Sequence, residues 1–329
     1  MPGQDYQARM KLKVLFLILT LNMSLITSAE SFGIVVHGGA GVLSGLSIER
    51  QQEIENKVKE TLISAYKILE DDGSSMDAVE FAVSEFEDST LFNAGKGSVY
   101  NSNEVQEMDA SIMNGADRSA GAVASVQIIK NPIKLARKVA EQTEHVLLVG
   151  DGAENFALES GLEIVDSDYF FHEERLKRVQ DSKLETTKLD QDSDKIGTVG
   201  AVAIDKKGNI AAATSTGGMT NKMPGRVGDS PIIGSGTWAQ NGVCGVSSTG
   251  HGEYFIKYQV AREVCVRIEY LNQSLGDSST AIIDELDKLG ASGGLIAIDH
   301  QANISTPFNT KGMIRGSKTN KSDLKSQIY

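Results

Sequence analysis

Cysteine is almost missing: Cys244 and Cys265 are the only two in 329 residues. So sparse a set excludes a disulfide framework and leaves either one bridge in an oxidising compartment or two separate buried thiols. Proline is scarce too, at 5 residues against 33 glycines, which points to many tight turns and close backbone approaches in an otherwise regular structure. The histidines, at 37, 145, 172, 251 and 300, show no close metal-ligand spacing, so a catalytic zinc is not expected. Walker and dinucleotide-binding fingerprints are also wanting. The one marked apolar run, Val14 to Ile26, is shorter than the ~20 residues that a spanning helix needs.

What is present begins with that run. Arg9, Lys11 and Lys13 precede it and Thr27-Ser28-Ala29 follows, the three parts of a cleavable secretory signal over residues 1–29, which predicts a secreted or periplasmic protein. Removing the net +2 of this segment from the formal charge of −12 leaves −14. Such acidity argues against nucleic acid, and against an anionic membrane once the signal is gone. At 40% hydrophobic, the remainder has ample material for a packed core.

From Ser31 onward strand and helix patterns alternate. Phe32 to His37 reads as a strand and Ile48 to Glu70 as an amphipathic helix; Ser74, three before Asp77, caps a second helix over Met76 to Phe86. Short strands are expected at Ser98 to Asn101, Val105 to Met113 and Ala120 to Ile129. Asn131-Pro132 then opens a helix, and Val146 to Gly150 reads as a buried strand. Residues 172–195 are charged, polar and free of glycine and proline, suggesting a helical start and then a mobile linker. Beyond it, Val199 to Asp205 and Ile210 to Thr214 form one hairpin. Leu295 to Asp299 and Ile304 to Phe308 form another, with helices at Glu253 to Leu271 and Thr280 to Leu289 between them. Two hairpins separated by helices suggest stacked sheets with helices outside.

The chemistry concentrates at Gly197-Thr198-Val199-Gly200. A threonine that starts a buried strand just after a linker is well placed to become a chain terminus, because its hydroxyl can attack the Gly197 carbonyl and glycine adds no Cβ to a twisted peptide. Scission would free an α-amine with a reference pKa of about 7.7–8.0 beside the same residue's hydroxyl, so that nucleophile and base come from one residue. His37-Gly38-Gly39 is similar to an esterase oxyanion motif, but no serine on a strand-to-helix elbow follows it, and a structural turn is expected there.

The wider sequence resembles the plant-type asparaginase and isoaspartyl peptidase family of N-terminal-nucleophile hydrolases over essentially all of 32–316. The resemblance rests on HGGAG at 37–41, LFNAGKG at 91–97, EMDASIMNG at 107–115, the run 197–239, STGHGE at 248–253 and GGLIAIDHQANISTPFNTKGMIRG at 293–316. It implies that Thr198 is the nucleophile and that Thr216 hydrogen-bonds it. Thr249 and Gly250 would supply the oxyanion hole. Arg226 and Asp229 would hold a substrate's α-carboxylate and α-ammonium, Gly252 would help with the ammonium, and Asn93 would orient the substrate. A sodium ion is implied on the backbone carbonyls of Phe86, Glu87, Ser89, Phe92, Ala94 and Lys96, with no cofactor for the chemistry itself. Ile314 departs from the family pattern, standing where tyrosine is common.

Together these imply an α+β, four-layer αββα sandwich of the N-terminal-nucleophile type, built from fragments 30–197 and 198–329 after scission between Gly197 and Thr198. Two such pairs would form an (αβ)2 heterotetramer. Its expected substrates are small molecules, L-asparagine and β-aspartyl dipeptides. Two other readings stay open: a glycosylasparaginase with the same nucleophile, and a non-catalytic aspartate-binding protein.

Overall fold

A computed structural model describes residues 31–41, 45–184 and 197–329; the expected signal segment and the second half of the linker, 185–196, lie outside the described residues. In chain order the elements are β1 (Gly33–Gly41), α1 (Ile48–Glu70), α2 (Ser75–Glu87), β2 (Met108–Asn114), β3 (Ala120–Val126), α3 (Pro132–Gln142), β4 (Leu147–Val149), α4 (Gly150–Glu159) and α5 (Glu173–Leu184). After the linker come β5 (Val199–Ile204), β6 (Ile210–Thr216), β7 (Thr237–Gln240), β8 (Cys244–Gly250), α6 (Gly252–Tyr258), α7 (Val260–Leu271), α8 (Leu275–Lys288), β9 (Gly293–Asp299), β10 (Ile304–Ser305), β11 (Gly312–Thr319) and β12 (Ser322–Gln327).

Side-chain alternation in the central strands decides the layering. Val199, Ala201 and Ala203 of β5, with Ala211 and Ala213 of β6, face a core shared with α1 to α4. Val202, Ile204, Ile210 and Ala212 point the other way, into a second core against β8, β9 and the helices α7 and α8. A strand buried on both faces needs a layer on each side. The large sheet supplies eight strands in the order β12-β11-β1-β5-β6-β2-β3-β4, and a four-stranded sheet, β10-β9-β8-β7, stacks on it. Helices cover both outer faces, which gives the four-layer αββα sandwich.

Local chemistry accounts for the helix starts. Ser47 accepts a hydrogen bond from the Arg50 amide and Ser74 one from the Asp77 amide, so both helices open on a satisfied cap. Pro132 stands at the first turn of α3, although the side chain of Asn131 donates to Asp88 at 3.0 Å and does not cap.

Several expectations need correction. Ser98 to Asn101 is no strand, because it follows a short 3-10 turn over Gly95–Gly97. β4 is an edge strand with Leu147 and Val149 exposed, not a buried one. The helix expected over Glu253 to Leu271 is broken at Gln259, whose backbone is left-handed with φ 52°. His37-Gly38-Gly39 is no turn; it continues β1 through a bulge between His37 and Gly39. Cys244 and Cys265 are joined in a disulfide with Cα atoms 5.6 Å apart, tying β8 of the small sheet to α7 above it. Ile314 is fully buried in the core shared with α1 to α4, close to Gly38 and Phe92, so it packs and does not line a rim.

Candidate active site

Thr198 stands immediately before β5. Because β5 pairs antiparallel with β6, with Val199 opposite Ser215, the register brings Thr198 beside Thr216 at the end of the neighbouring strand. The Thr198 hydroxyl donates to Thr216 Oγ1 at 3.1 Å, and Thr216 Oγ1 also accepts from the Gly218 amide at 2.9 Å. Asn93 braces the same turn: its Nδ2 donates to the Gly218 carbonyl at 2.8 Å and its Oδ1 accepts from the Val99 amide at 3.0 Å. That arrangement uses one of the two amide hydrogens of Asn93. Ser230, which sequence reading passed over, brings its Oγ to 3.5 Å from Thr198 Oγ1.

The Gly197–Thr198 peptide is held from two sides. A Cβ on Gly39 would overlap the backbone of Gly197, so these two glycines meet face to face with no room for a side chain. On the other side, Thr249 Oγ1 lies 2.6 Å from where a Gly197 Cβ would stand and accepts from the Ala40 amide at 3.3 Å. The hydroxyl expected to stabilise an oxyanion therefore lies beside Gly197. Gly250 follows it at the end of β8, pressed so closely on Gly293 that a Cβ would fall 2.6 Å from its Cα.

A loop after β6 carries the substrate-binding candidates. A Cβ on Gly252 would lie 2.8 Å from Arg226 Nη2 and 3.0 Å from Asp229 Oδ1, so the guanidinium, the carboxylate and the start of α6 converge. Asp229 is buried, its Oδ2 has no hydrogen-bond partner among the described residues, and loss of solvation pushes its carboxyl up to about 7 despite the pull of Arg226. Arg226 does not pair with Asp229 directly; its Nε and Nη2 fork onto the two oxygens of Glu253 at 2.9 Å each. Glu253 was read only as a helix start, and its part in holding Arg226 depends on a contact across 27 positions. Lys222 and Glu107 were also missed. The lysine ammonium donates to the Glu107 carbonyl at 2.8 Å, and the Glu107 carboxylate accepts from the Gly225 amide at 3.1 Å, fixing the loop from below.

The carbonyl loop proposed for sodium folds round the turn at Gly95–Gly97. Cβ atoms at Gly95 and Gly97 would collide with the carbonyl oxygens of Glu87 and Phe92 respectively, and that of Ser89 lies 3.0 Å from the latter position. Converging carbonyls of this kind suit a hard cation. The Phe86 and Ala94 carbonyls accept turn hydrogen bonds from Ser89 and Gly97, and Phe92 shares its oxygen with Arg175 Nη2 at 3.2 Å. Each carbonyl retains a second lone pair. Burial pushes the Glu87 carboxyl up to about 8, which disfavours its charged form, so the backbone carbonyl is the group suited to the role.

A family model described as asparaginase matches residues 30–328. The isoaspartyl peptidase of Escherichia coli is 44% identical over 292 residues, covering 86% of this chain and 91% of its own. The isoaspartyl peptidase/L-asparaginase of Bos taurus is 43% identical over 282 residues, covering 85% and 91%, and that of Homo sapiens is 48% identical over 237, covering 72% and 76%. By fold and by these matches the chain belongs to the asparaginase family of N-terminal-nucleophile hydrolases.

Proposed function

We propose that this protein cuts itself between Gly197 and Thr198 and then hydrolyses β-aspartyl dipeptides and the side-chain amide of L-asparagine. The observation that carries the reading is the Thr198–Thr216 hydroxyl pair at 3.1 Å, set between Thr249 on one side and the Arg226, Asp229 and Gly252 group on the other. In self-cleavage the Thr198 oxygen attacks the Gly197 carbonyl carbon, the peptide C–N bond breaks, and the nitrogen takes a proton to become the α-amine of Thr198. Water then opens the ester. In turnover the same oxygen attacks the substrate's β-carbonyl while the α-amine takes its proton and passes it to the departing ammonia or amine. Hydrolysis of the acyl-enzyme releases L-aspartate. Arg226 would fork onto the α-carboxylate and Asp229 accept from the α-ammonium, which restricts substrates to those carrying both.

The fragments of each chain would be 30–197 and 198–329, and two such pairs would associate. A sodium ion on the carbonyl loop would serve structure and not chemistry. Export is supported by the leader-like composition of residues 1–29 and by the Cys244–Cys265 bridge, since disulfides persist in oxidising compartments.

The test is direct. On a denaturing gel the purified chain should resolve into two pieces, the smaller beginning at Thr198 by N-terminal sequencing, and the product should release aspartate from β-aspartyl-leucine and from asparagine. Thr198→Ala should remain one uncut and inactive chain. A smaller piece starting elsewhere overturns the reading. Turnover of glycosylated asparagine in preference to β-aspartyl-leucine would move the protein to the glycosylasparaginase branch, and one intact, inactive band after prolonged incubation would favour a binding protein.

A further inference from the structure

Between the two sheets, where hydrocarbon normally fills the gap, a chain of hydroxyl groups crosses this molecule beside the nucleophile. Ser247 Oγ on β8 meets His37 Nε2 of β1 at 2.9 Å and Thr214 Oγ1 of β6 at 2.7 Å. Thr237 on β7 donates to Thr214, and Ser111 of β2 meets Thr237 Oγ1 at 2.8 Å. Ser111 in turn donates to the backbone carbonyl of Ser230 at 2.6 Å. All six of these residues are buried. The hydroxyls of this network are each paired, whereas the other ring nitrogen of His37, Nδ1, has no partner among the described residues; paired buried groups rigidify what they touch.

The ends of this chain lie on either side of Thr198. His37 packs against the Thr198 backbone, and loss of solvation holds its ring down near 3, so it stays neutral and adds no charge there. At the other end, Ser230 follows Asp229 directly, and Thr198 Oγ1 is the one hydrogen-bond partner found for its hydroxyl among the described residues. Thr216 already accepts from the Gly218 amide and from Thr198, so the Thr198 proton points toward Thr216 and the oxygen's lone pairs are left for a donor. Ser230 is the hydroxyl placed to be that donor. At 3.5 Å the contact is long, and such contacts tighten as charge develops on the oxygen.

We propose that Ser230 is a further catalytic residue, donating its hydroxyl proton in a hydrogen bond to Thr198 Oγ as that oxygen loses its own proton, and that the Ser111 hydroxyl holds Ser230 in register through its carbonyl. No bond to Ser230 forms or breaks; its proton stays on its own oxygen. The inference rests on Thr198 being the nucleophile. Because the same oxygen attacks Gly197, the role extends to self-cleavage.

The test compares Ser230→Ala, Ser230→Cys, Ser111→Ala and Thr198→Ala, with kinetics measured on the cleaved fraction. Ser230→Ala should lower kcat for β-aspartyl-leucine by about 10- to 100-fold, as expected for losing a hydrogen bond to a charged oxygen, with KM within about twofold. Its precursor should persist longer before cutting. Ser230→Cys, a weaker donor of similar size, should fall between Ser230→Ala and the parent. Ser111→Ala should give a smaller loss in kcat at unchanged KM, which keeps the question answerable if Ser230→Ala fails to fold. A mainly structural role would instead lower the melting temperature and move KM and kcat together. If kcat of Ser230→Ala or of Ser111→Ala stays within about twofold of the parent while Thr198→Ala is dead, the inference is wrong and the nucleophile stands. If Thr198→Ala still cuts and turns over, the nucleophile assignment itself falls.

Discussion

A buried carboxylate whose second oxygen has no partner is costly to keep, and Asp229 is one among the described residues. Its carboxyl is raised from 3.8 to about 7, so folding favours the protonated form. The penalty is absent below the unfolded value, grows as pH rises, and is complete above the folded one. Asp229→Asn should therefore stabilise the fold above pH 7, by about 4 kcal/mol at most from a shift of roughly three units, and by nothing at pH 3. Thermal melts at the two pH values check this. The same substitution should raise KM for β-aspartyl-leucine about 100-fold or more, since it removes one partner of a buried ammonium–carboxylate pair. In the parent, KM should climb as pH falls through 7 because only the ionised Asp229 accepts the ammonium. Protonating the α-amine that the proposed cut would free at Thr198, with a reference pKa of about 7.7–8.0, would remove the base from bound complexes and so lower kcat instead. Opposite dependence, with kcat following Asp229 and KM indifferent to Asp229→Asn, would reject its placement in the ammonium site. At this scale the residues of the nucleophile region could be named from sequence because local motifs carry them. Ser230, Glu253 and Lys222 could not, since each acts through a partner dozens of positions away and a serine after an aspartate has no signature of its own.

Among the elements, the link between β8 and α7 is the one covalent cross-brace within the described residues. It closes a loop with a sequence separation of 21, for which chain entropy gives about 3 kcal/mol, or about 5 °C in melting temperature for a protein this large. Reduction, or Cys265→Ala with Cys244→Ala, should lower the melting temperature by roughly that amount, while leaving KM unchanged because neither cysteine touches the site. A shift under 1 °C would mean that packing alone holds α7 in place. The helices show how far pattern goes. α1 could be read almost to the residue from its apolar periodicity, and α2 because its Ser74 cap and apolar periodicity agree. β8 escaped because the side facing the large sheet carries Gly245 and Ser247 where alternation needs apolar residues. β12 escaped because it is an exposed edge of serine, aspartate and lysine. β4 was misjudged for the opposite reason: a short apolar run looks the same at an edge as in a centre, and burial depends on neighbours supplied by the rest of the chain.

For the whole molecule, the position of the proposed cleavage point in the sheet order has the largest consequence. β5 and β6 would begin the downstream fragment yet lie between β1 and β2 of the upstream one, and β11 pairs with the other edge of β1. Both cores draw residues from the two sides of Gly197–Thr198, so cutting this bond divides a domain core without opening it. The pieces should therefore co-elute on size exclusion, remain together in native mass spectrometry on dilution, and melt in a single transition. They should part only in denaturant. Refolding then separates the two forms: the uncut Thr198→Ala chain should refold at a rate and yield independent of concentration, whereas the denatured cut protein must bring two chains together first. Its refolding should slow as the protein is diluted, and at low concentration each piece, lacking half of a sheet, should aggregate before it meets its partner. Concentration-independent refolding of the cut form would mean that one fragment folds alone, which strands interleaved in this order do not allow.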